Sequence, residues 1–167
     1  MTKIYLALGS NLHRHSSLLF AFKSLKKILS NIVSSPVYES VPFHTIGPNF
    51  YNVVIAADTD ISLQELYEQT KIIEKNIGRD KWVDNEGVEH LLRCLDIDIL
   101  TYGDLIYSDD KFVLPRQDIF KYEFVAIPLS LLEPSYIPPG SLENVRTIAS
   151  RMDVNKLKLV KNFSLDL

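Results

Sequence analysis

The sequence predicts an α+β fold, an antiparallel sheet covered by helices, and two observations support this prediction. Apolar segments of strand length alternate with segments whose apolar residues recur at helical spacing, in the order β-α-β-β-α-β. The 167 residues suffice for a buried core, with 46% hydrophobic and 23% charged residues, as in ordinary globular proteins. We therefore expect a single domain over residues 1–167.

The first half of the chain supplies a strand, a helix and two further strands. Residues 3–8 form a short apolar run, and residues 16–29 have a helical apolar stripe with Ser16 as the candidate N-cap. Residues 32–40 (IVSSPVYES) and 50–57 (FYNVVIAA) are typical of strands. The segment between them contains two prolines and a glycine, which indicates a loop.

The second half supplies a helix, a strand, a hairpin and two helices. Ser62-Leu-Gln-Glu65 matches a capping box, and Gly78 is a natural end for the helix that it opens. Residues 79–92 are polar and predict a loop, whereas RCLDIDIL predicts a strand. Tyr102-Gly-Asp-Leu then predicts a hairpin turn into residues 105–108.

Two more helices are predicted, within residues 122–132 and from residue 141 onward. This order of elements is that of a ferredoxin-like βαββαβ core with an antiparallel sheet, an added hairpin and C-terminal helices.

Charge and composition exclude several classes of function. The net charge is −3 and no basic block is present, so we expect no nucleic-acid partner. No apolar run is long enough to span a membrane, and no signal peptide is visible. The single cysteine, Cys94, fits a reducing compartment. We therefore expect a cytoplasmic monomer without a membrane partner.

Two aspartates inside the strand RCLDIDIL are the clearest functional signal. Side chains two residues apart on a strand point to the same face, so Asp96 and Asp98 lie together while their apolar neighbours line the other face. Like charges repel unless a cation lies between them, and Mg²⁺ prefers such oxygen ligands. The alternative interpretation is that this face is simply exposed to solvent.

Basic residues near the aspartate strand favour a phosphate site. Arg93 directly precedes the aspartate pair, and Arg79 and Lys81 open the polar loop before it. Cations of this kind, together with a metal ion, neutralise the charge of a transferring phosphoryl group. The chain contains neither G-x-x-x-x-G-K-[ST] nor G-x-G-x-x-G, so such a site would depend on a metal ion and on side-chain charge.

Several motifs resemble those of one enzyme family. LGSNL in the first strand, FYN in the third, IEKNIGR at the end of the second helix and RCLDIDIL followed by VLP occur in the order and spacing of the 6-hydroxymethyl-7,8-dihydropterin pyrophosphokinases of folate biosynthesis. The resemblance runs to about residue 130. It implies a ferredoxin-like fold and the Mg²⁺-dependent transfer of pyrophosphate from ATP to the pterin, with release of AMP.

The resemblance also implies roles for charged residues. The ligands of two Mg²⁺ ions would be Asp96 and Asp98. The catalytic arginines would be Arg93 and Arg79, and we add Arg116 to them although it departs from the family pattern. The contacts to ATP would come from Glu74, Lys81, Ile99, Lys111 and Arg116.

On the pterin side, the resemblance implies a mainly aromatic pocket. Its residues would be Ser40, Pro42, Phe43, Phe50, Asn52, Asp96 and Phe124. A pterin has apolar faces and a hydrogen-bonding edge, which aromatic rings and an asparagine amide suit.

Trp82, in the long loop 79–92, would belong to a lid that closes over the bound substrates.

Two positions depart from the family pattern. Arg116 stands where the family usually has histidine, and Tyr122 where it usually has arginine. If residues 116–122 begin a helix or a tight turn, both side chains would reach one phosphate region, and Arg116 would replace the missing cation.

The departures at Arg116 and Tyr122 favour a rival interpretation, a non-catalytic module that binds a pterin or a nucleotide or docks onto a neighbouring folate enzyme. A third interpretation, a D-x-D nucleotidyl- or glycosyltransferase, is not favoured by the other motifs.

Overall fold

The structure is a computed structural model that describes residues 1–165. Within these residues the chain forms ten strands and five α-helices. The strands are β1 (Thr2–Ser10), β2 (Ser30–Ser34), β3 (Tyr38–Ser40), β4 (Phe50–Thr59), β5 (Arg79–Val83), β6 (Glu89–Arg93), β7 (Asp96–Tyr102), β8 (Tyr107–Ser108), β9 (Val113–Leu114) and β10 (Lys158–Leu159). The helices are α1 (Arg14–Leu25), α2 (Leu63–Ile77), α3 (Asp118–Lys121), α4 (Glu123–Leu132) and α5 (Val145–Ser150).

A single antiparallel sheet forms the centre of the molecule and confirms the predicted fold class. Its strand order is β10-β3-β4-β1-β7, and β2 also pairs with β4. Helices α1 and α2 bury their apolar faces against one side of the sheet, where Leu6, Ile55 and Ile97 lie. Helices α3, α4 and α5 cover part of the other side, around Tyr5 and Leu100. None of the helices in residues 1–165 is long and apolar enough to cross a membrane.

The two long helices begin differently. Helix α2 follows its prediction, because Ser62 Oγ accepts a hydrogen bond from Glu65 N at 3.1 Å and Gly78 ends the helix with φ 80°. The prediction that Ser16 caps α1 is wrong. That helix begins at Arg14, and His13, with φ 50°, is its N-cap. The Ser16 hydroxyl lies inside the first turn and donates to His13 O at 3.1 Å.

Residues 79–92 were expected to form a loop, but they build a two-stranded ribbon from β5 and β6. The turn is formed by Asp84, whose Oδ1 accepts from the backbone N–H groups of Glu86 and Val88, both at 2.9 Å. Gly87 completes it with φ 82°. The segment is polar because both faces of the ribbon are largely exposed, while its backbone is regular.

The added hairpin lies later in the chain than predicted. The turn after β7 forms, with Leu105 N donating to Tyr102 O at 3.1 Å, but β8 pairs with β9 and not with β7. Helix α4 occupies the predicted segment. The helix expected from residue 141 begins at Val145, because Asn144 Oδ1 accepts from Thr147 N at 2.9 Å and caps it there.

Candidate functional site

A cavity of about 550 Å³ lies on the α4 side of the sheet, beyond the area that the helices cover. Strands β1, β4 and β7 form its floor, and its walls come from the β5–β6 ribbon, from α4 and from the loop of residues 41–49. Most of the predicted site residues meet here. Those that line the cavity are Ser40, Phe43, Phe50, Asn52, Arg79, Arg93, Asp96, Asp98 and Phe124.

The floor of the cavity is opened by a glycine in the central strand. Gly9 of β1 is paired with Asn52 on one neighbouring strand and with Asp96 on the other. Adjacent strands lie about 4.8 Å apart, so these two polar residues flank a gap that no side chain from β1 fills. A Cβ atom built on Gly9 would lie 3.7 Å from Phe50 Cδ1 and 3.8 Å from Asn52 Oδ1. The glycine therefore joins the aromatic and acidic halves of the cavity.

The acidic half contains two arginine–aspartate pairs. Asp96 and Asp98 share a face of β7, as their spacing predicted. Arg93 Nη1 lies 2.8 Å from Asp96 Oδ1, and Arg116 Nη2 lies 3.7 Å from Asp98 Oδ2. Burial raises the pKa of Asp98, the nearby Arg116 lowers it, and the charge of Asp96 raises it again. The net effect is a raised pKa for Asp98, because burial outweighs the pairing with Arg116.

The donor set of this half fits a hard divalent cation. In the described part of the chain, no group of three or more His, Cys, Asp or Glu residues forms a candidate metal site. Asp96 and Asp98 would therefore hold a cation only together with other oxygen ligands. Mg²⁺ is commonly bound in this way, by one or two carboxylates with substrate phosphates and water.

The other half of the cavity combines rings with one amide. Asn52 is 6% exposed, and its Nδ2 donates to Ser40 Oγ at 2.8 Å and to Tyr38 O at 3.2 Å. These bonds fix the orientation of the amide and leave its oxygen on the Gly9 side as an acceptor. The rings of Phe50 and Phe124 line the same half. The arrangement offers a flat ligand two aromatic surfaces and a hydrogen-bond acceptor.

Several residues with predicted ATP contacts lie outside this lining. Glu74 is 7% exposed, and its carboxylate accepts from Ile97 N at 2.8 Å and from Lys71 Nζ at 2.9 Å, which joins α2 to β7. Ile99 is a core residue on the opposite face of β7. Lys111 lies on the β8–β9 hairpin, and its Nζ donates to Gln64 Oε1 of α2 at 3.3 Å.

Other predicted residues are also separated from the cavity. Lys81 Nζ pairs with Glu89 Oε1 at 3.3 Å across the ribbon. Trp82 lies beside the His90 ring, with 5.8 Å between ring centroids, and is not part of the cavity lining. The ribbon residues Leu91 and Leu92 do line the cavity. Pro42 is half-buried in the 41–49 loop and is not part of the lining.

In the structure Arg116 and Tyr122, which were expected to reach one phosphate region, contact different side chains. Arg116 turns towards the acidic half, where its Nε also donates to Asp118 Oδ2 at 3.0 Å. Tyr122 stacks on Phe124, with ring centroids 5.2 Å apart. Helix α3 lies between the two residues, and its single turn sends their side chains in different directions.

Asn11 is a cavity residue that was not among the predicted site residues. It is 5% exposed, and its Oδ1 has no hydrogen-bond partner among residues 1–165. Its amide lies under Gly47 of the 41–49 loop, where a Cβ would be only 2.6 Å from Asn11 Nδ2 and 2.9 Å from Leu92 Cδ1. The motif LGSNL was the available signal, since it carries a polar residue directly after a buried strand.

The contact at Gly47 leads to a prediction. Gly47→Ala should lower the free energy of unfolding by about 1–3 kcal/mol, because φ 135° is unfavourable for alanine and the new methyl group meets Asn11 and Leu92. Thermal or urea unfolding measures this. Gly87→Ala is the matched control, because Gly87 also has a positive φ, 82°, but open space around its Cβ position. Equal losses in the two variants would contradict the packing argument.

Comparisons with known proteins agree with the observed fold. Residues 5–134 match the sequence profile of the family described as 7,8-dihydro-6-hydroxymethylpterin-pyrophosphokinase (HPPK). The chain belongs to this family, which confirms the resemblance found in its motifs. Its domain is thus of the pyrophosphokinase class.

Several relatives are matched over most of their length, among them two 2-amino-4-hydroxy-6-hydroxymethyldihydropteridine pyrophosphokinases. The chain is 37% identical to that of Aquifex aeolicus over 145 residues, which are 83% of this chain and 85% of that protein. It is 30% identical to that of Haemophilus influenzae over 166 residues, 95% of this chain and 99% of that protein.

Other relatives are much longer. The chain is 32% identical over 154 residues to the folic acid synthesis protein FOL1 of Dictyostelium discoideum, which covers 91% of this chain but only 22% of that protein. Among solved structures, the HPPK-DHPS of Plasmodium falciparum superposes with a TM-score of 0.69 at 14% identity. That match covers 90% of this chain and 43% of the other, and it supports the fold alone.

Proposed function

We propose that the protein transfers pyrophosphate from ATP to the hydroxymethyl oxygen of 6-hydroxymethyl-7,8-dihydropterin, with release of AMP, as a step of folate biosynthesis. One observation carries this proposal: a single cavity joins an aspartate pair with arginines to a pocket of aromatic rings and an amide. The first half suits a triphosphate with its metal ions, and the second suits a flat heterocycle. Family membership supports both assignments.

On the phosphate side, Asp96 and Asp98 would hold two Mg²⁺ ions. When bound, the metal ions would supply charge neutralisation along the triphosphate. Arg93 and Arg79 line the cavity and would bind phosphate oxygens, and Arg116 would add a third cation beside Asp98. Lys81 and Lys111 lie on the exposed ribbon and hairpin, from which they would reach ATP only after a movement of these elements.

Two other predicted ATP residues would act through position. The Glu74 carboxylate binds the backbone N–H of Ile97 and so holds the strand that carries the aspartates. Ile99 has its side chain in the core, so its contact to the nucleotide would come from the backbone.

On the pterin side, Asn52 would accept a hydrogen bond from an N–H group at the ring edge. Its NH₂ group is already bound to Ser40 and Tyr38, which leaves the oxygen for the substrate. Phe50 and Phe124 would contact the faces of the ring. Ser40, Pro42 and Phe43 lie on the adjoining strand end and loop and would complete the pocket, with Asp96 facing it from the acidic half.

The chemistry requires mainly positioning. The hydroxymethyl oxygen attacks the β-phosphorus of ATP and loses its proton, a new O–P bond forms, and the bond to AMP breaks. Phosphoryl transfer depends on alignment and on neutralisation of charge more than on a strong base. The short path between Asn52 and Asp96 across Gly9 would bring the hydroxymethyl group to the acidic half.

One assay tests the proposal. The protein is mixed with ATP, Mg²⁺ and 6-hydroxymethyl-7,8-dihydropterin, and AMP is measured, with controls that omit the pterin or replace Mg²⁺ with EDTA. We expect AMP only in the complete mixture. If the protein binds ATP and the pterin but releases no AMP, the non-catalytic module is the correct interpretation.

The ribbon provides a second test, because Trp82 is the only tryptophan of the chain. We propose that the β5–β6 ribbon closes over the substrates and carries Trp82 towards them. Its fluorescence should then change when ATP analogue and pterin are both bound, and less with either one alone. The Trp82→Phe variant is the control for signal from the ligands. An unchanged spectrum in the ternary complex would contradict a lid.

A further inference from the structure

Three aromatic rings form a connected cluster at the edge of the cavity. Phe43 lies on the 41–49 loop, Tyr122 lies between α3 and α4, and Phe124 lies in the first turn of α4. The rings of Tyr122 and Phe124 are stacked, with centroids 5.2 Å apart and an interplanar angle of 7°. The edge contact between Phe43 and Tyr122 has centroids 4.9 Å apart at 62°.

Tyr122 is the middle member of this cluster. Phe43 and Phe124 both line the cavity, whereas Tyr122 lies behind them and touches each. The 41–49 loop has no regular secondary structure, and Phe43 is 50% exposed. An exposed ring on an irregular loop samples many positions unless a neighbour restricts it. The His44 ring of the same loop lies 4.0 Å from Phe43, and Tyr122 is the neighbour that connects the loop to a helix.

We propose that Tyr122 is a positioning residue for the pterin, an inference that rests on the proposed function. Its ring holds Phe124 in the plane needed to contact the substrate and holds Phe43 over the same pocket. Phe124 then keeps its position for contact with one face of the heterocycle, opposite Phe50, and Phe43 closes the side of the pocket. Tyr122 thereby serves pterin binding, and the phosphate region depends on other residues.

The backbone of Tyr122 supports this role. Its φ of −121° and ψ of 130° are extended, and its carbonyl oxygen accepts from Ala126 N at 2.9 Å as α4 begins. The residue therefore stands at a fixed position, the N-cap of α4. A ring at this place has a defined direction, which an arginine side chain with its many rotamers would lack.

The test separates pterin binding from ATP binding with three variants. In Tyr122→Leu, we expect the KM for the pterin to rise about tenfold, since two ring contacts are lost, with the kcat and the KM for ATP changed less than about twofold. Tyr122→Phe keeps both ring contacts and should behave as the unmodified protein. Tyr107→Leu removes an exposed ring from the β8–β9 hairpin, away from this cavity, and is the matched control.

Calorimetric titration of each protein with the pterin, in the presence of a non-hydrolysable ATP analogue, should repeat the same order of affinities. The inference is overturned if Tyr122→Leu binds the pterin normally, if it loses ATP and pterin equally, or if Tyr122→Phe is as impaired as Tyr122→Leu. If the unmodified protein neither binds the pterin nor releases AMP, the proposed function fails and this inference falls with it.

Discussion

Replacing Asp98 with asparagine is expected to abolish AMP release. The variant keeps the shape of the side chain but removes one of the two carboxylates that face the acidic half of the cavity. Asparagine is a much weaker ligand for Mg²⁺, and the phosphates then lose a charge-neutralising partner. We expect kcat/KM to fall by about a thousandfold, or about 4 kcal/mol of transition-state stabilisation. Asp96→Asn should act in the same direction.

The stability of the Asp98→Asn variant should be equal to or greater than that of the unmodified protein. Burial raises the pKa of Asp98 above its unfolded value, and the charge of Asp96 adds to this. A raised carboxyl pKa means that the ionised group opposes folding as the pH rises through its unfolded and folded pKa values. At neutral pH the asparagine amide carries no charge, so its burial costs less free energy than that of the ionised aspartate. The amide also loses the ion pair with Arg116, which offsets part of this gain.

The control for this experiment is an aspartate outside the cavity. Asp60 has a side chain that is 73% exposed and pairs with the N-terminal amine, so Asp60→Asn should change neither activity nor unfolding notably. If Asp98→Asn keeps more than about a tenth of the activity, a barrier change under about 1.4 kcal/mol, the metal assignment is wrong.

Arg116→Ala is expected to have the second largest effect, a loss of about 2–4 kcal/mol of transition-state stabilisation, the range for removing one preorganised charge-stabilising donor. Arg116 lies beside Asp98 at 3.7 Å and is held by Asp118 at 3.0 Å, so its guanidinium is oriented before any substrate binds. The loss should appear in kcat/KM for ATP, measured by AMP release. Arg116→His should not restore full activity, because Tyr122 supplies no second cation in this region.

An arginine in a surface ion pair is the matched control for Arg116. Arg151 pairs with Glu143 at 2.6 Å and is not part of the cavity. Arg151→Ala should leave AMP release unchanged, since exposed ion pairs contribute little. A normal kcat/KM in Arg116→Ala would exclude the idea that Arg116 replaces a missing phosphate contact.

Local sequence patterns predicted those parts of the site that depend on one element alone. The period of two along a strand puts Asp96 and Asp98 on one face whatever the strand packs against. The capping box at Ser62 and the stop at Gly78 form through contacts within a few residues, so α2 has the predicted bounds. Motif spacing was enough to identify the family.

Patterns failed where a partner from elsewhere in the chain decides the outcome. The polar segment 79–92 pairs with itself, because a turn at Asp84 brings two short strands together, and its polarity reflected exposure only. The strand β8 pairs with β9 and not with β7, a choice between two available neighbours that its own two residues do not encode. Helix α1 begins after His13, whose φ is positive and whose side chain makes no capping hydrogen bond, so the serine pattern of an N-cap did not locate its start.

The sequence by itself thus determined the class of fold, the family and the residue types of the site, because these depend on periodicity and on motifs. Only the tertiary structure decided where side chains from different elements meet. Gly9 opens the cavity floor because strand register sets it between Asn52 and Asp96. Tyr122 contacts both Phe43 and Phe124 because the 41–49 loop packs against the start of α4. Contacts between side chains of different elements depend on strand register and on packing across the whole chain. No local stretch of residues encodes them.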